Sequence, residues 1–232
     1  MDFFIFIKQT LNKGEMYQEI VIENAIKFVK EILKNAEGGH DWFHINRVLK
    51  NAVLISEEEK ADLFIVSLGA LFHDIADPKF HNGDESIGPN IARTFLFNLN
   101  VDSAVIEHVI NIIENISFKG GNVSRKFHSK ELDVVQDADR LDAIGAIGIA
   151  RCFNYGGFKN RQLYNPDIKP NLKMTKEEYK VSTAPTINHF YEKLLLLKDK
   201  MNTKTGLKIA LQRHEYMECF LKQFYNEWEA KL

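Results

Sequence analysis

Histidine and aspartate side chains stand at the edges of otherwise apolar segments in three separate parts of the chain. His44 begins one such segment, His73 and Asp74 end another, and Asp139 belongs to a third. Burying an unpaired carboxylate costs on the order of several kcal/mol, so a buried acid needs a cation or a dense set of donors. One divalent ion held by two imidazoles and two carboxylates would satisfy both acids. We therefore predict a metal centre formed by these four side chains.

The ligand types narrow the choice of ion. Imidazole nitrogen and carboxylate oxygen suit Mn, Mg, Fe, Co or Ni better than they suit an ion that prefers thiolate. Cys152 and Cys219 are far apart in the sequence, so we expect neither a cysteine zinc site nor a disulfide framework. Two alternatives remain open. Asp137 is an alternative ligand to Asp139, and a polar network that joins helix ends without metal is the alternative to the whole site.

Apolar residues recur with the 3.6-residue period of amphipathic helices along most of the chain. No stretch shows the alternating pattern of a strand, so the sequence predicts an all-α fold. The predicted helices cover residues 17–34, 43–56, 61–74, 85–99, 102–117, 131–151, 176–201 and 203–228. The sixth of these has Asp137, Asp139 and Asp142 at its start, and residues 154–172 are predicted to form a loop or flap.

Length and charge are those of an ordinary globular chain. The 232 residues carry 30 Lys and Arg against 32 Asp and Glu, for a net charge of −2. No general field therefore attracts nucleic acid or an anionic membrane, and we expect neither as a partner. The apolar run at residues 2–7 is too short to span a bilayer, and the scarcity of cysteine favours the cytoplasm.

The domain organisation predicted from these patterns is simple. Residues 1–16 form an N-terminal extension, and residues 17–232 form one domain. Within that domain the metal-site core covers about 40–145, and a C-terminal helical part covers about 146–232. The apolar faces of the last helices are also compatible with a homodimer.

The order and surroundings of the four ligands resemble a known family. His44, then His73-Asp74, then Asp139 is similar to the H…HD…D signature of the HD-domain phosphohydrolase superfamily. The segments Gly39-His-Asp-Trp-Phe-His-Ile-Asn-Arg-Val48 and Leu71-Phe-His-Asp-Ile-Ala-Asp-Pro-Lys-Phe80 resemble a bacterial subfamily that hydrolyses nucleoside triphosphates to monophosphate and pyrophosphate. The similarity extends from about residue 17 to the C-terminus.

The resemblance implies an HD-domain helical bundle with additional C-terminal helices, in which the four residues bind one ion and activated water attacks phosphorus. Asp77 stands one turn after His73, where related enzymes carry a catalytic Glu or Asp, and it is expected to orient the water or transfer its proton. Lys79, Arg47 and Arg140 are expected to contact the phosphate groups of the substrate.

The predicted flap offers a second group of substrate contacts. Lys159 and Arg161 would reach a triphosphate, and either Tyr155 or Tyr164 would stack on its base. The predicted function is therefore metal-dependent hydrolysis of a small phosphorylated molecule, with ribo- or deoxyribonucleoside triphosphates preferred. A nucleotide phosphomonoesterase, an alarmone hydrolase and a non-catalytic nucleotide-sensing module are the alternatives.

Overall fold

The structure of the chain, a computed structural model, describes residues 12–36, 41–76, 84–116, 127–175, 178 and 181–231. These residues form helices, turns and loops but no strand, which confirms the predicted all-α fold. The α-helices within them include α1 (Lys13–Ile32), α2 (Trp42–Glu59), α3 (Leu63–Phe72), α4 (Ile87–Asn98), α5 (Ser103–Asn115), α6 (Lys130–Asp142), α7 (Gly145–Phe158), α8 (Asn188–Glu192) and α9 (Lys204–Trp228). No helix in this part of the chain has the length and apolar character needed to cross a bilayer.

Helix α1 begins at Lys13, before the start predicted from the apolar stripe. Asn12 and Glu15 form a capping box, in which each side chain accepts a hydrogen bond from the backbone N–H of the other, at 3.0 and 2.9 Å. Such reciprocal caps satisfy N–H groups that a helix leaves without partners at its start. A polar cap therefore sets this boundary, and the apolar period did not reveal it.

The most apolar helix, α3, occupies the centre of the bundle and packs against α1, α2, α5 and α6. All but two of its residues are buried. A Cβ atom at Gly69 would lie 3.2 Å from Ile112 and 3.3 Å from Val135, so the missing side chain lets α5 and α6 approach closely. This packing fixes the end of α3 against α6, where the predicted ligands of both helices lie.

One predicted helix, over residues 131–151, is wrong, because the chain forms two helices there. Helix α6 ends at Asp142 and α7 begins at Gly145, whose φ of +74° lies in the left-handed region that favours glycine. Asp137 and Asp139 therefore lie in the second half of α6 and Asp142 at its end, instead of at the start of a helix. Buried apolar residues continue on both sides of the break, so their spacing did not reveal it.

The helix predicted over residues 176–201 is also wrong. Among the described residues, 182–185 are non-helical, α8 is short, and Leu194–Lys200 forms a 3₁₀-helix. Pro185 has no N–H to donate and disfavours helical backbone at Ala184, which explains the interruption. The predicted flap also begins later than expected, because α7 extends to Phe158. The last helix, α9, matches its prediction.

Helix α9 begins against α2 and α6 together. The N–H and hydroxyl groups of Thr203 both donate to Asp137 Oδ2 of α6, each at 2.8 Å. The N–H and hydroxyl groups of Thr205 donate to Glu59 Oε1 of α2, at 2.8 and 2.7 Å. Farther along, Arg213 donates to the Leu141 carbonyl oxygen. The C-terminal helix is thus attached to the two helices that carry His44 and Asp139.

Candidate metal centre

Three of the four predicted ligands meet at one point. The Nε2 atoms of His44 and His73 lie 3.5 and 3.7 Å from the same oxygen, Oδ1 of Asp139. The three ligand atoms all lie within 4.8 Å of one another. Both separations are longer than those of a normal hydrogen bond. Two atoms bound to one ion at about 2.1 Å each are about 3 to 3.5 Å apart, so the observed spacing is close to that of ligands that share a cation.

Each ligand is positioned by the end of a helix. His44 lies in the first turn of α2, and its backbone N–H donates to the N-cap residue Asp41 at 2.9 Å. His73 is the C-cap residue of α3. Asp139 lies in the last turn of α6. Because α3 packs against both other helices, the three ends converge from three directions.

The imidazole of His73 is oriented for a metal ion. Its Nδ1 lies 2.8 Å from the carbonyl oxygen of Ala70. A carbonyl oxygen only accepts, so Nδ1 carries the hydrogen and Nε2 presents a lone pair when the ring is neutral. That Nε2 is buried and has no hydrogen-bond partner. Buried polar atoms without partners are rare and costly, and a cation beside Asp139 would satisfy this one.

The imidazole of His44 has the same orientation, set by a carboxylate. Its Nδ1 lies 2.8 Å from Asp142 Oδ2 and also 2.8 Å from Nη1 of Arg151. A guanidinium only donates, so Nδ1 cannot satisfy both neighbours. Donation from Nδ1 to Asp142 is the consistent assignment, since Arg151 also donates to Asp142. It leaves the Nε2 lone pair of His44 directed at Asp139, as in His73.

Asp142 is a residue at the centre to which sequence reasoning assigned no role. Its side chain is 2% exposed, and it accepts from Arg47 Nε at 2.6 Å and Arg47 Nη2 at 3.0 Å, as well as from Arg151 and His44. Burial by itself would raise the pKa of Asp142, but these bonds and the charge of Arg151 hold it well below its usual range. The available signal was its position one turn after Asp139, on the same face of α6.

The charges around the three ligands favour a cation. Burial opposes ionisation of Asp139, yet His73, His44 and Arg151 hold its pKa well below the usual range. Burial would likewise lower the pKa of His73, but Asp139 and Asp74 raise it to about 9. Without metal, a proton on His73 therefore supplies the positive charge, and a divalent ion would displace that proton. The Asp139 side chain remains 41% exposed, so the centre is open on that side.

The other predicted site residues have different surroundings. Asp74 follows His73 and acts on it through its charge, but its carboxylate is not among the three mutually close ligand atoms. Arg47 is engaged with Asp142, beside the centre. Asp77 and Lys79 lie outside the described residues. A role for any of these four in binding metal or substrate stays a prediction.

Arg140 and Asp137 face α9 instead of the three ligands. Arg140 donates to the Lys200 carbonyl oxygen and lies 3.4 Å from Asp137 Oδ1. Asp137 is fully buried and accepts from the N–H groups of Asn202 and Thr203. Asp139, and not Asp137, is therefore the carboxylate that α6 directs at the two imidazoles.

Comparison with known proteins agrees with this geometry. The HD domain family matches residues 42–144, the span that contains all three converging ligands. The chain belongs to the HD superfamily of hydrolases and is a metal-dependent phosphohydrolase.

Individual relatives cover almost the whole chain. YpgQ of Bacillus subtilis is 40% identical over 207 residues, which cover 88% of this chain and 92% of YpgQ. The crystal structure of an HD-superfamily hydrolase from Bacillus thuringiensis has a TM-score of 0.74 at 44% identity, covering 92% of this chain and all of that one. The crystal structure of YpgQ in complex with ADP has a TM-score of 0.70 at 36% identity, covering 91% of this chain and 97% of YpgQ.

Proposed function

We propose that this phosphohydrolase acts on nucleoside triphosphates, ribo- or deoxyribo-, and releases pyrophosphate and the monophosphate. The observation that carries the proposal is the ADP complex of YpgQ, a relative that this chain matches over nearly its full length. ADP is a nucleoside diphosphate, so YpgQ binds a molecule that has both a nucleoside and a phosphate chain. The open centre around Asp139 and the arginines beside it suit the same kind of ligand.

His44, His73 and Asp139 would hold the ion. Asp74 is proposed as the fourth ligand because it directly follows His73 and because its charge raises the pKa of His73. A bound Mn, Mg, Fe, Co or Ni ion would supply an activated water and neutralise charge on the phosphoryl group. Asp139 is the exposed member of the set. The substrate would therefore approach from the side of α6.

The remaining roles belong to the protein's own side chains. Asp77 is proposed to orient the attacking water and to take its proton. Lys79 and Arg47 are proposed to contact phosphate oxygens, where positive charge stabilises the transition state. Arg47 is suited to this because its side chain is 32% exposed while it is bound to Asp142. Arg140 would have to leave Asp137 and Lys200 to do the same, so its contribution is the weakest of these proposals.

The test is turnover of a panel of nucleoside triphosphates with Mn²⁺, measured as orthophosphate with and without added inorganic pyrophosphatase. We expect a signal that depends on the pyrophosphatase and disappears in His73→Ala. Orthophosphate release without the added enzyme would favour a phosphomonoesterase instead. Absence of turnover on every nucleotide, with metal shown to be bound, would contradict the proposal and leave an HD phosphohydrolase with another substrate.

A further inference from the structure

A positively charged and aromatic stretch of chain leads away from the metal centre. No Asp or Glu occurs between Asp142 and Asp167, whereas Arg151, Lys159 and Arg161 all lie there. The chain as a whole is nearly neutral, so this segment is a local exception. Helix α7 forms its first part and begins shortly after α6 ends.

Arg151 is the residue of this stretch that contacts the metal centre. Its guanidinium contacts His44 and Asp142, and its charge acts on Asp139. Tyr155 follows one helical turn later, on the same face of α7. The Tyr155 side chain is 47% exposed.

Two cations lie near the Tyr155 ring. Lys159 Nζ lies 5.7 Å from the ring centroid, and the guanidinium carbon of Arg161 lies 5.5 Å from it. Both distances are within the range of cation–π attraction. Arg161 also donates to the Ser182 carbonyl oxygen at 2.6 Å, which fixes it against the following loop. We call these residues, together with Arg151, the α7 shelf: Arg151, Tyr155, Lys159 and Arg161, of which Tyr155 and Lys159 are exposed and the two arginines are partly buried.

The second aromatic candidate of this region has a different role. The Tyr164 ring lies 5.0 Å from that of Trp228, 5.4 Å from Tyr225 and 5.9 Å from Phe224, each in an edge-to-face arrangement. Three ring contacts of this kind are typical of core packing. Tyr164 therefore attaches the loop after α7 to α9, and of the two tyrosines only Tyr155 offers an exposed ring.

We propose that the α7 shelf binds the nucleoside end of the substrate, with the base stacked on Tyr155 and the phosphates drawn toward Arg151 and the metal centre. This inference rests on the proposed nucleotide substrate and names the residue that recognises the base. Stacking uses the face of a base and not its hydrogen-bonding edge, so it tolerates every base. The shelf therefore predicts an enzyme with weak base preference.

The test compares two ligands that share a diphosphate, ADP and inorganic pyrophosphate, by calorimetric titration with Mg²⁺ present. In Tyr155→Ala we expect ADP affinity to fall about tenfold, the effect of losing one base–aromatic stack. Affinity for pyrophosphate should stay unchanged, because that ligand has no base. Tyr155→Phe keeps the ring and should bind ADP as the wild type does. Phe97→Ala is the matched control, since Phe97 is an aromatic residue of α4 that is 72% exposed.

The outcomes separate this inference from the proposed function. If wild-type protein binds pyrophosphate but gains nothing from the adenosine of ADP, the shelf is overturned, and so is nucleotide specificity. If the wild type prefers ADP and Tyr155→Ala keeps that preference, the base binds elsewhere: the shelf fails while the nucleotide substrate stands. Equal losses of both ligands in Tyr155→Ala would reveal a general structural effect and would also overturn the shelf.

Discussion

Helix α6 carries two buried aspartates, Asp137 and Asp142, whose surroundings differ in charge. Asp142 is bound by two guanidinium groups and by the imidazole of His44. Asp137 is bound mainly by neutral donors, the N–H groups of Asn202 and Thr203 and the Thr203 hydroxyl. Burial raises the pKa of Asp137, and its hydrogen bonds only partly offset this, whereas the pKa of Asp142 is held low.

The difference shows that residue type and burial do not identify a functional acid. Both carboxylates are almost completely hidden from solvent. Asp137 caps the start of α9 and so joins two parts of the fold, while Asp142 orients an imidazole at the metal centre. The two roles differ in the charge of the hydrogen-bond partners and in the part of the molecule to which those partners belong. For Asp137 that part is the start of α9, and for Asp142 it is the metal centre.

The largest expected effect is on the metal side of α6. His73→Ala removes a buried lone pair that faces Asp139, so metal binding should be lost. Hydrolysis should fall by more than the roughly 100-fold that loss of a ligand-orienting partner can cause. Metal content by elemental analysis and turnover of the best substrate are the measurements. A variant that retains stoichiometric metal and full activity would show that the three ligands do not form the catalytic centre.

Asp142→Asn should have the next largest effect. The amide keeps the shape of the carboxylate but loses its charge, so it holds the Nδ1–H of His44 less strongly. Metal affinity should drop about 10- to 100-fold. Competition with a metal-sensitive dye measures the dissociation constant without relying on activity.

Asp137→Asn is the matched control, because the same change is made on the same helix at a similarly buried acid. It should lower stability and leave metal affinity near that of the wild type. Equal losses of metal affinity in the two variants would remove the distinction between the two carboxylates.

Where Asp137 contacts the start of α9, we expect a substitution to change stability alone. A Cβ at Gly206 would lie 2.5 Å from Asp137 Oδ2 and 2.8 Å from Thr203 Oγ1. Gly206→Ala should therefore reduce the free energy of unfolding by about 1–3 kcal/mol, despite the better helix propensity of alanine. Urea denaturation of metal-free protein is the measurement. A stabilised variant would mean that the contact between α6 and α9 is looser than described.

The smallest effect is a pH dependence confined to the metal side. The pKa of His73 is raised to about 9 in the metal-free protein, so below that pH its Nε2 carries a proton that the metal must displace. Apparent metal affinity should rise about tenfold from pH 7 to pH 8, as expected for release of one proton per ion, and should level off above pH 9. Titrations between pH 6.5 and 8 measure the slope. Gly206→Ala should show the same slope, and a flat profile in the wild type would contradict the raised pKa.

Local patterns predicted much of the fold. The apolar periods of α2 and α9 span several turns, so their positions follow from sequence, and the three converging ligands were all among the predicted four. Boundaries set by backbone geometry were not visible in this way. Gly145 and Pro185 each interrupt a segment whose apolar residues continue on both sides.

The contacts that Arg47 and Arg151 make at the site could not be predicted, because they join residues that are distant in sequence. Arg47 meets Asp142 across 95 positions, and Arg151 meets His44 across 107. Nothing near Arg47 in the sequence indicates that its partner is the last residue of α6. The assignments of Arg47 and Arg140 to the substrate used only nearness to a ligand along the chain.

The attachment of α9 has a consequence for engineering. Residues 42–144 carry all three converging ligands, yet a fragment cut there would leave Glu59 and Asp137 without their donors at Thr205 and Thr203. Glu59 and Asp137 would then be exposed, and their carboxylates would attract water and cations to the contact between α2 and α6. The smallest fragment that keeps both attachments therefore includes the start of the final helix.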